Sequence, residues 1–316
     1  MTRRLIAFAL ALLCSTAQAY PDKPLRLIVP FPAGDGLDAQ GRMIADRLGT
    51  ALGQKVIVDN RPGAGTLIGV EAARQAPGDG HTLLLVTTTY AINPALRIKV
   101  PYDPVKDFVP VIQTTSIPLV VVGSPSFAPN NFAEVLALAR QQPGQLTMGN
   151  SGIGTAAHVG MELLDGMAGI KFNHVAYKGI PPALTDLIGG QLQMLCTSPA
   201  QVMPMIREGK VKALAVTGAS RMKLLPHVGT VQEAGVNDYS VTAWVGLMTR
   251  AGATPAIVER LNRSIAEILA QPDVAERLTV DGSVVVANKP DEFSRHIAGE
   301  LQKWEKTIRD AGIARQ

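Results

Sequence analysis

Short apolar runs alternate along this chain with longer segments in which apolar residues recur every three or four positions. Leu25–Val29 is an apolar run of strand length. The segment after it places Ile44, Leu48 and Leu52 on one helical face, which predicts a helix from Asp38 to about Leu52. A strand, a Gly-containing loop and a helix start therefore follow one another.

The alternation continues beyond this first unit. A strand is predicted at Lys55–Val58, then a helix ending near Gln75, then a strand at Thr82–Val86. This βαβαβ order predicts a parallel sheet with helices on its faces. A long irregular stretch is expected next, around Tyr102-Asp103-Pro104.

A second series of strands and helices follows the irregular stretch. Asn131, with Glu134 three residues later, is predicted to cap a helix that stops before Pro143. The predicted strands of this series are Ile117–Val122, Leu146–Met148, Phe172–Val175, Leu192–Cys196 and Ala213–Val216. We therefore expect a second, mainly parallel sheet flanked by helices.

The C-terminal part shows no third sheet unit. It contains a predicted strand at Val241–Leu247, a helix opened by the cap pair Thr254-Pro255, and a helix over Asp291–Ala311. These elements are expected to pack back on the first unit. The expected fold class is therefore a two-domain α/β architecture, in which the chain crosses between the domains twice.

The domain boundaries follow from those two crossings. The crossings are expected near residues 120–124 and 240–244. Domain 1 is predicted to comprise residues 20–122 plus 241–316, and domain 2 residues 123–240.

The first nineteen residues have the pattern of a secretory signal peptide. Arg3 and Arg4 form a positive start, Leu5–Leu13 is an apolar stretch too short to span a bilayer, and Ala17-Gln18-Ala19 is a small-residue cleavage site. Cleavage after Ala19 and export to the periplasm are predicted. A lipoprotein at Cys14 is the alternative, although bulky leucines precede that cysteine.

The remaining composition excludes several classes of protein. Without Arg3 and Arg4, 28 basic residues face 26 acidic ones, and aromatic residues make up only 4% of the chain. Nucleic acid and membrane surfaces are therefore not expected partners. Cys196 is the single cysteine after the signal segment, so no intramolecular disulfide is expected, and a buried, inert thiol is predicted.

Four loops that follow strands and precede helices are the candidates for chemistry. They are Phe31–Asp38, Thr87–Asn93, Asn150–Thr155 and Tyr177–Pro181. Ligands of open parallel sheets bind beyond the carboxyl ends of the strands, so these loops are expected to meet at a cleft. Backbone N–H groups at such strand–loop–helix junctions favour an anion. Ordinary turn and cap chemistry is the alternative interpretation of each loop.

The predicted site has eighteen ligand-binding residues, no catalytic residue and no metal or other cofactor. The ligand-binding residues are Phe31, Pro32, Ala33, Gly34, Asp35, Asp38, Thr87, Thr88, Asn93, Ser151, Gly152, Gly154, Thr155, His158, Tyr177, Lys178, Gly179 and Thr197.

The alternative function is that of a periplasmic α/β enzyme that uses the same cleft. It would be a hydrolase or a nucleotide-dependent enzyme, and two sequence patterns favour it. Gly63–Gly69 resembles a dinucleotide fingerprint, but no acidic residue ends the next strand. Asn150-Ser151-Gly152 resembles a nucleophile elbow, but Ile153 replaces its last glycine. The five histidines stand apart in sequence without metal-ligand spacing, so a metalloenzyme is not expected.

Taken together and in this order, the motifs of the chain are specific. They are Pro30–Gly34 with Asp38, Asn60–Gly65, Tyr102-Asp103-Pro104 with Lys106-Asp107-Phe108, Ser151–Thr155 with His158, Tyr177-Lys178-Gly179 with Pro182-Ala183-Leu184, and Leu214–Thr217. Over essentially its whole mature length the chain resembles the Bug-type periplasmic solute receptors of tripartite tricarboxylate transporters.

The resemblance implies a Venus-flytrap receptor, expected to be monomeric, that delivers a small solute to a membrane permease. The solute would be a carboxylate, an amino acid or an amide-like molecule. In that family the first loop and the Ser/Gly loop of the second domain bracket a ligand carboxylate. Here those loops are Phe31–Gly34 with Asp38, and Ser151–Thr155. Transport and sensing are both compatible with the resemblance.

The chain departs from the family pattern at a few positions. Asp35 stands where a second glycine is usual, and Gln193 and Thr197 stand where acidic residues are common. Asp35 either faces the cleft, where its charge would disfavour tricarboxylates, or occupies a left-handed turn position and points to solvent.

Overall fold

The computed structural model describes residues 20–97 and 99–315. The predicted signal segment and its cleavage after Ala19 lie outside the described residues. The strands are β1 (Leu25–Val29), β2 (Val56–Asn60), β3 (Thr82–Thr87), β4 (Phe108–Pro118), β5 (Val120–Gly123), β6 (Thr147–Asn150), β7 (Asn173–Ala176), β8 (Met194–Thr197), β9 (Lys212–Val216), β10 (Thr242–Arg250) and β11 (Val284–Val285).

Helices connect most of these strands. They are α1 (Gly36–Leu52), α2 (Leu67–Arg74), α3 (Thr88–Leu96), α4 (Phe132–Gln141), α5 (Ala156–Ala168), α6 (Ile180–Ile188), α7 (Pro199–Arg207), α8 (Pro255–Leu269), α9 (Pro272–Thr279) and α10 (Pro290–Asp310). Within the described ranges, none of the helices has the length and apolarity needed to cross a membrane.

The strands form two sheets. The first has the order β11-β4-β10-β3-β1-β2, and the second has the order β7-β6-β8-β5-β9. Helices flank both sheets, so the two-domain α/β architecture is confirmed.

Both sheets are mixed, and most strands of each sheet run in one direction. β1 pairs in parallel with β2 and β3, but β10 runs antiparallel to both β3 and β4. In the second sheet β6 is parallel to β7 and β8, whereas β5 is antiparallel to β8 and β9. The antiparallel pairs involve β4, β5 and β10. These three strands lie next to the passages between the sheets.

The two passages between the sheets lie side by side. Leu119 separates β4 of the first sheet from β5 of the second, and Val241 precedes β10. Thr217 joins them, because its hydroxyl accepts a hydrogen bond from the Leu119 N–H at 2.8 Å and donates to the Val241 carbonyl at 2.6 Å. Since β5 belongs to the second sheet, the first passage precedes the predicted boundary after Val122; the full domain division remains a prediction.

Two predicted helix starts are confirmed. The Asn131 side chain accepts a hydrogen bond from the Glu134 N–H at 3.0 Å and caps α4. Thr254 caps α8 by accepting from the Ile257 N–H, and Pro255 occupies the first turn. A side-chain oxygen before an apolar periodic run thus satisfied backbone donors where the pattern predicted it.

The C-terminal helix α10 is fastened to the first sheet by a buried carboxylate. Glu300 is 6% exposed and accepts hydrogen bonds from the indole N–H groups of Trp244, on β10, and Trp304, at 3.0 and 2.9 Å. Lys303 forms an ion pair with the same carboxylate. Hydrogen bonds to a charged group contribute about 1.5–3 kcal/mol each, so this cluster holds α10 firmly in place.

Candidate functional site

The carboxyl ends of the parallel strands in both sheets lie beside the passages between the sheets. Thr87, the last residue of β3, is level with Val245 near the start of β10. Thr197, the last residue of β8, is level with Val120 at the start of β5. Because β4 leads through Leu119 directly into β5, the loops after these strands open toward the seam between the two sheets.

The first loop, Phe31–Asp35, is built around a buried carboxylate. Asp38 is 2% exposed and accepts hydrogen bonds from the Gly34 N–H at 2.8 Å, the Asn60 amide at 2.8 Å and the Arg42 guanidinium at 2.9 Å. The Arg42 bond holds the pKa of this carboxyl at about 2, helped by the Gly34 and Asn60 donors and opposed by burial. Asp38 therefore shapes the loop through three internal hydrogen bonds.

The exposed part of this loop consists of Pro32, Ala33 and Gly34, while Phe31 is half-buried. Gly34 has a φ of +85° with open space around its Cα, so a backbone approach there is unobstructed. Asp35 is exposed and caps α1, because its Oδ1 accepts from the Leu37 N–H at 2.8 Å. Its φ is −66°, so the expectation that it occupies a left-handed turn is wrong.

The second loop, Asn150–Thr155, is built in the same way from neutral groups. Thr155 caps α5 by accepting from the His158 N–H at 3.3 Å, and its hydroxyl donates to the Gly152 carbonyl at 2.8 Å. Gly152 and Gly154 have φ values of +136° and +81°, which other residues rarely adopt. Ser151 lies half-buried at the tip.

His158 supports the second loop from inside the protein. Its Nδ1 accepts a hydrogen bond from the Gly154 N–H at 3.4 Å, and the residue is 6% exposed. Burial lowers its pKa although Glu162 opposes this, so the ring stays neutral at pH 7. His158 thus holds the second loop in this structure, and its predicted role as a solute ligand stays a prediction.

The segment after β3 is a helix, whereas Thr87–Asn93 was expected to be a loop. Thr88 accepts from the Trp244 N–H at 3.0 Å, and Asn93 donates to the Gly65 carbonyl at 2.8 Å. Both side chains are buried and bonded to the protein, and their predicted contact with a solute stays a prediction. Thr87 precedes the helix, and no side chain caps α3.

The third group of predicted residues lies around β7 and β8. The Tyr177 hydroxyl donates to Asp186 at 2.8 Å, and burial followed by that bond raises its pKa to about 12. Lys178 is exposed, and Gly179 precedes α6, whose start carries no side-chain cap. Thr197 is 3% exposed at the end of β8.

The two sheets meet at the second loop. A Cβ on Gly154 would lie 2.3 Å from Cδ2 of Leu96, at the end of α3, so the Leu96 side chain would have to shift to admit any larger residue. The same α3 holds the Gly65 turn through Asn93. The loops of both sheets are therefore linked through one helix.

Comparison with known proteins assigns this architecture to a family. The model of the tripartite tricarboxylate transporter family receptor matches residues 41–313. The chain belongs to this receptor family. A relative, the protein BugT of Bordetella pertussis, is 34% identical over 299 residues, which cover 94% of this chain and 92% of BugT.

Two solved structures resemble the receptor closely. Rpa4515 of R. palustris, solved with adipate, is 32% identical with a TM-score of 0.78, covering 93% of this chain and 99% of that one. MatC of Rhodopseudomonas palustris, with bound malate, is 30% identical with a TM-score of 0.75, covering 92% of this chain and 100% of that one. These comparisons support a solute receptor and not the enzyme alternative.

The interior of the receptor agrees with a binding function. Cys196 is buried, as predicted, and burial raises the pKa of its thiol to about 12, which makes it a poor nucleophile.

Sequence reasoning missed two asparagines of the site. Asn60 donates to both the Phe31 carbonyl and Asp38, and so ties β2 to the first loop. Asn150 is fully buried, its Oδ1 accepts from the Gly152 N–H, and its amide nitrogen has no partner among the described residues. Each is the last residue of a parallel strand, and that position is the signal that could have identified them.

Proposed function

We propose that this receptor binds a small dicarboxylate between the first loop, Phe31–Asp35, and the second loop, Asn150–Thr155. The observation that carries the proposal is the matched construction of the two loops at the facing strand ends. The adipate and malate bound by Rpa4515 and MatC differ in length but share two carboxylates. A receptor of the same family and fold is therefore expected to take the same class of solute.

We propose that one carboxylate binds at the second loop. The second loop offers the Ser151 hydroxyl, and the uncapped starts of α3 and α6 add N–H donors. The first loop already contains the carboxylates of Asp35 and Asp38. Repulsion between like charges therefore favours the second loop for the more tightly held end of the solute.

The proposed direct contacts are fewer than the predicted ones. Backbone and side chains of the predicted residues that are not already bonded inside the protein are assigned to the solute. These are Ala33, Thr87, Ser151, Lys178 and Gly179. The buried groups Asp38, Thr88, Asn93 and His158 hold the loops in place, and Thr155 acts as a helix cap.

Binding is proposed to close the two sheets on each other. The two passages are bonded together at Thr217, which makes them a short, well-defined hinge. A solute that contacts both loops has a higher affinity for the closed arrangement, so it shifts the population toward closure.

The site of action is the periplasm, which the family and fold imply. We propose that the signal segment is cleaved after Ala19, and that the mature receptor, as a monomer, delivers its solute to the permease of a tripartite tricarboxylate transporter. N-terminal sequencing of the exported protein tests the cleavage, with Tyr20 expected first. A lipid-modified Cys14 would contradict it.

Calorimetric titration tests the binding proposal directly. Adipate, malate, a monocarboxylate and a tricarboxylate are titrated into the mature receptor, Ser151→Ala and the matched control Ser220→Ala, whose serine is exposed outside the loops. At least one dicarboxylate should bind wild type and control equally. Ser151→Ala should weaken binding about tenfold or more, because a hydrogen bond to a charged group contributes about 1.5–3 kcal/mol. Unchanged affinity in Ser151→Ala, or no dicarboxylate binding at all, would refute the proposal.

A further inference from the structure

Two carboxylates and a histidine meet away from the proposed solute site. Glu162 and Asp165 lie three residues apart on α5, and His174 lies on β7. Nε2 of His174 is 3.0 Å from Oδ2 of Asp165 and 3.7 Å from Oε1 of Glu162. Although the histidines stand apart in sequence, the fold brings the rings of His158 and His174 to 6.0 Å from each other.

These three side chains are withdrawn from solvent. The side chains of Glu162 and His174 are 9% exposed and that of Asp165 is 5% exposed. Burial of two carboxylates is costly unless cations or donors compensate both. The nearest cation, Lys171, has its Nζ 3.4 Å from Glu162 and 3.8 Å from Asp165, but its side chain is 56% exposed.

The protein leaves part of this cluster without a partner. Oδ2 of Asp165 accepts a hydrogen bond from the Phe172 N–H at 3.0 Å, whereas its Oδ1 is buried and makes no hydrogen bond to any residue that the structure describes. Buried polar atoms are nearly always bonded, so an unpartnered carboxylate oxygen indicates a group that completes the cluster. A cation supplies the missing interaction for a carboxylate.

The cluster also has an entrance. A cavity of about 450 Å³ opens between α5 and α10, and Glu162, Asp165 and Lys171 line it together with Lys303 and Asp310. An ion can reach the two carboxylates through this cavity, and water in the cavity can complete its coordination.

We propose that Glu162, Asp165 and His174 bind a divalent transition-metal ion of the zinc class. One imidazole nitrogen with two carboxylate oxygens is a donor set that suits zinc, whereas magnesium and calcium prefer oxygen alone. All three ligand atoms lie within 4.8 Å of one another. Ligands about 2.0–2.2 Å from a tetrahedral zinc are about 3.4 Å apart, so two of the pairs are close to this spacing and the third closes by side-chain rotation.

Lys171 competes with the metal in this proposal. Its ammonium lies against the same two carboxylates, and its exposed stem allows it to swing into solvent when an ion enters. Removing this cation should therefore strengthen metal binding, an effect that damage to the fold does not imitate.

The test is calorimetric titration of tag-free, chelator-treated receptor with Zn²⁺, and with Mg²⁺ in parallel. Wild type should bind one Zn²⁺ per chain and should not bind Mg²⁺ comparably. His174→Gln should weaken Zn²⁺ binding at least tenfold, and the control His227→Gln, at an exposed histidine, should not change it. Lys171→Ala should tighten binding severalfold.

Circular dichroism and dicarboxylate titration of the same variants show whether the fold and the solute site survive. No saturable Zn²⁺ binding by wild type would overturn the proposal, as would equal affinity in His174→Gln and His227→Gln. Weaker or unchanged binding in Lys171→Ala would do the same. Dicarboxylate binding does not enter these outcomes, so the metal proposal and the proposed function fail separately.

Discussion

The first and second loops follow one design with opposite electrostatics. In each, a glycine N–H is bonded to the side chain four residues later, Gly34 to Asp38 and Gly154 to His158. In each, the residue after that glycine caps the helix, Asp35 in the first loop and Thr155 in the second. The first loop uses two carboxylates for these tasks, whereas the second uses an imidazole and a hydroxyl.

An anion site must hold its loops in place and must also attract a negative charge. The electrostatic difference between the two loops shows that these two tasks can conflict. The carboxylate of Asp38 holds its loop firmly through three donors, but it adds negative charge. His158, held neutral by burial, supports its loop without adding charge. The second loop should therefore contribute more to solute affinity, and the first loop more to stability.

The largest expected effect is that of Asp38→Asn on stability. An amide supplies one acceptor and turns an N–H₂ group toward existing donors, so the free energy of unfolding should fall by about 3 kcal/mol. Denaturant unfolding at pH 7 measures this, with Asp46→Asn, an exposed carboxylate on the same helix, as the control. Equal stabilities of the two variants would show that the Asp38 network does not hold the fold.

The pH dependence of the same pair sharpens that result. The pKa of Asp38 is lowered from 3.8 to about 2, so its stabilisation is fully present above 3.8 and is lost as the pH falls toward 2. The stability gap between Asp46→Asn and Asp38→Asn should therefore narrow over this window. If the difference in stability between the two variants stays constant down to pH 2, the ionised Asp38 carboxylate is not the source of the stabilisation.

A smaller effect is expected at the second loop, where stability and binding should separate. Thr155→Val removes the cap of α5 and should cost about 1 kcal/mol of unfolding free energy. Ser151→Ala removes no bond inside the described part of the protein, so it should weaken dicarboxylate binding and leave stability unchanged. Thermal unfolding and calorimetry on both variants measure this contrast. Equal losses of stability in Thr155→Val and Ser151→Ala would contradict the division of roles between a helix cap at Thr155 and a solute contact at Ser151.

The smallest expected effect is a change of solute preference in Asp35→Gly. Replacing an acidic cap with glycine costs only a few tenths of a kcal/mol, so stability should hardly change. Charges about 4 Å apart in water interact by about 1 kcal/mol, so binding of a tricarboxylate should improve by about fivefold or less relative to a dicarboxylate. Parallel affinities for both solutes in wild type and variant would reduce Asp35 to its role as a cap.

Much of the fold could be predicted from rules that involve neighbouring residues only. The errors of the prediction share a physical cause, which is pairing between distant parts of the chain. The caps at Asn131 and Thr254 and the strand β1 appeared as predicted, because each depends on neighbouring residues alone. The sequence predicted a strand only from Ile117 onward, whereas β4 begins at Phe108 and includes the polar residues Gln113, Thr114 and Thr115. These side chains are buried against β10 and β11, a pairing that depends on distant parts of the chain.

The candidate site shows where residue type stops being informative. Asp38, Asn93 and His158 were predicted as ligands because polar residues near strand ends suit a solute. The structure shows that they bond instead to the loops themselves, at Gly34, Gly65 and Gly154. The same polar group can hold a loop or bind a solute, and only the position of its partners distinguishes the two roles.

The measurement that tests the central proposal most directly is the distance between the two sheets with and without solute. Spin labels at Ile57→Cys on β2 and Ile188→Cys on α6 are exposed, whereas the native Cys196 is fully buried and stays unlabelled. If a dicarboxylate bridges both loops, double electron–electron resonance should show a shorter distance on binding, and Ser151→Ala should need more solute for the same change. A dicarboxylate that binds tightly and leaves the distance unchanged would show that it does not bridge the two loops.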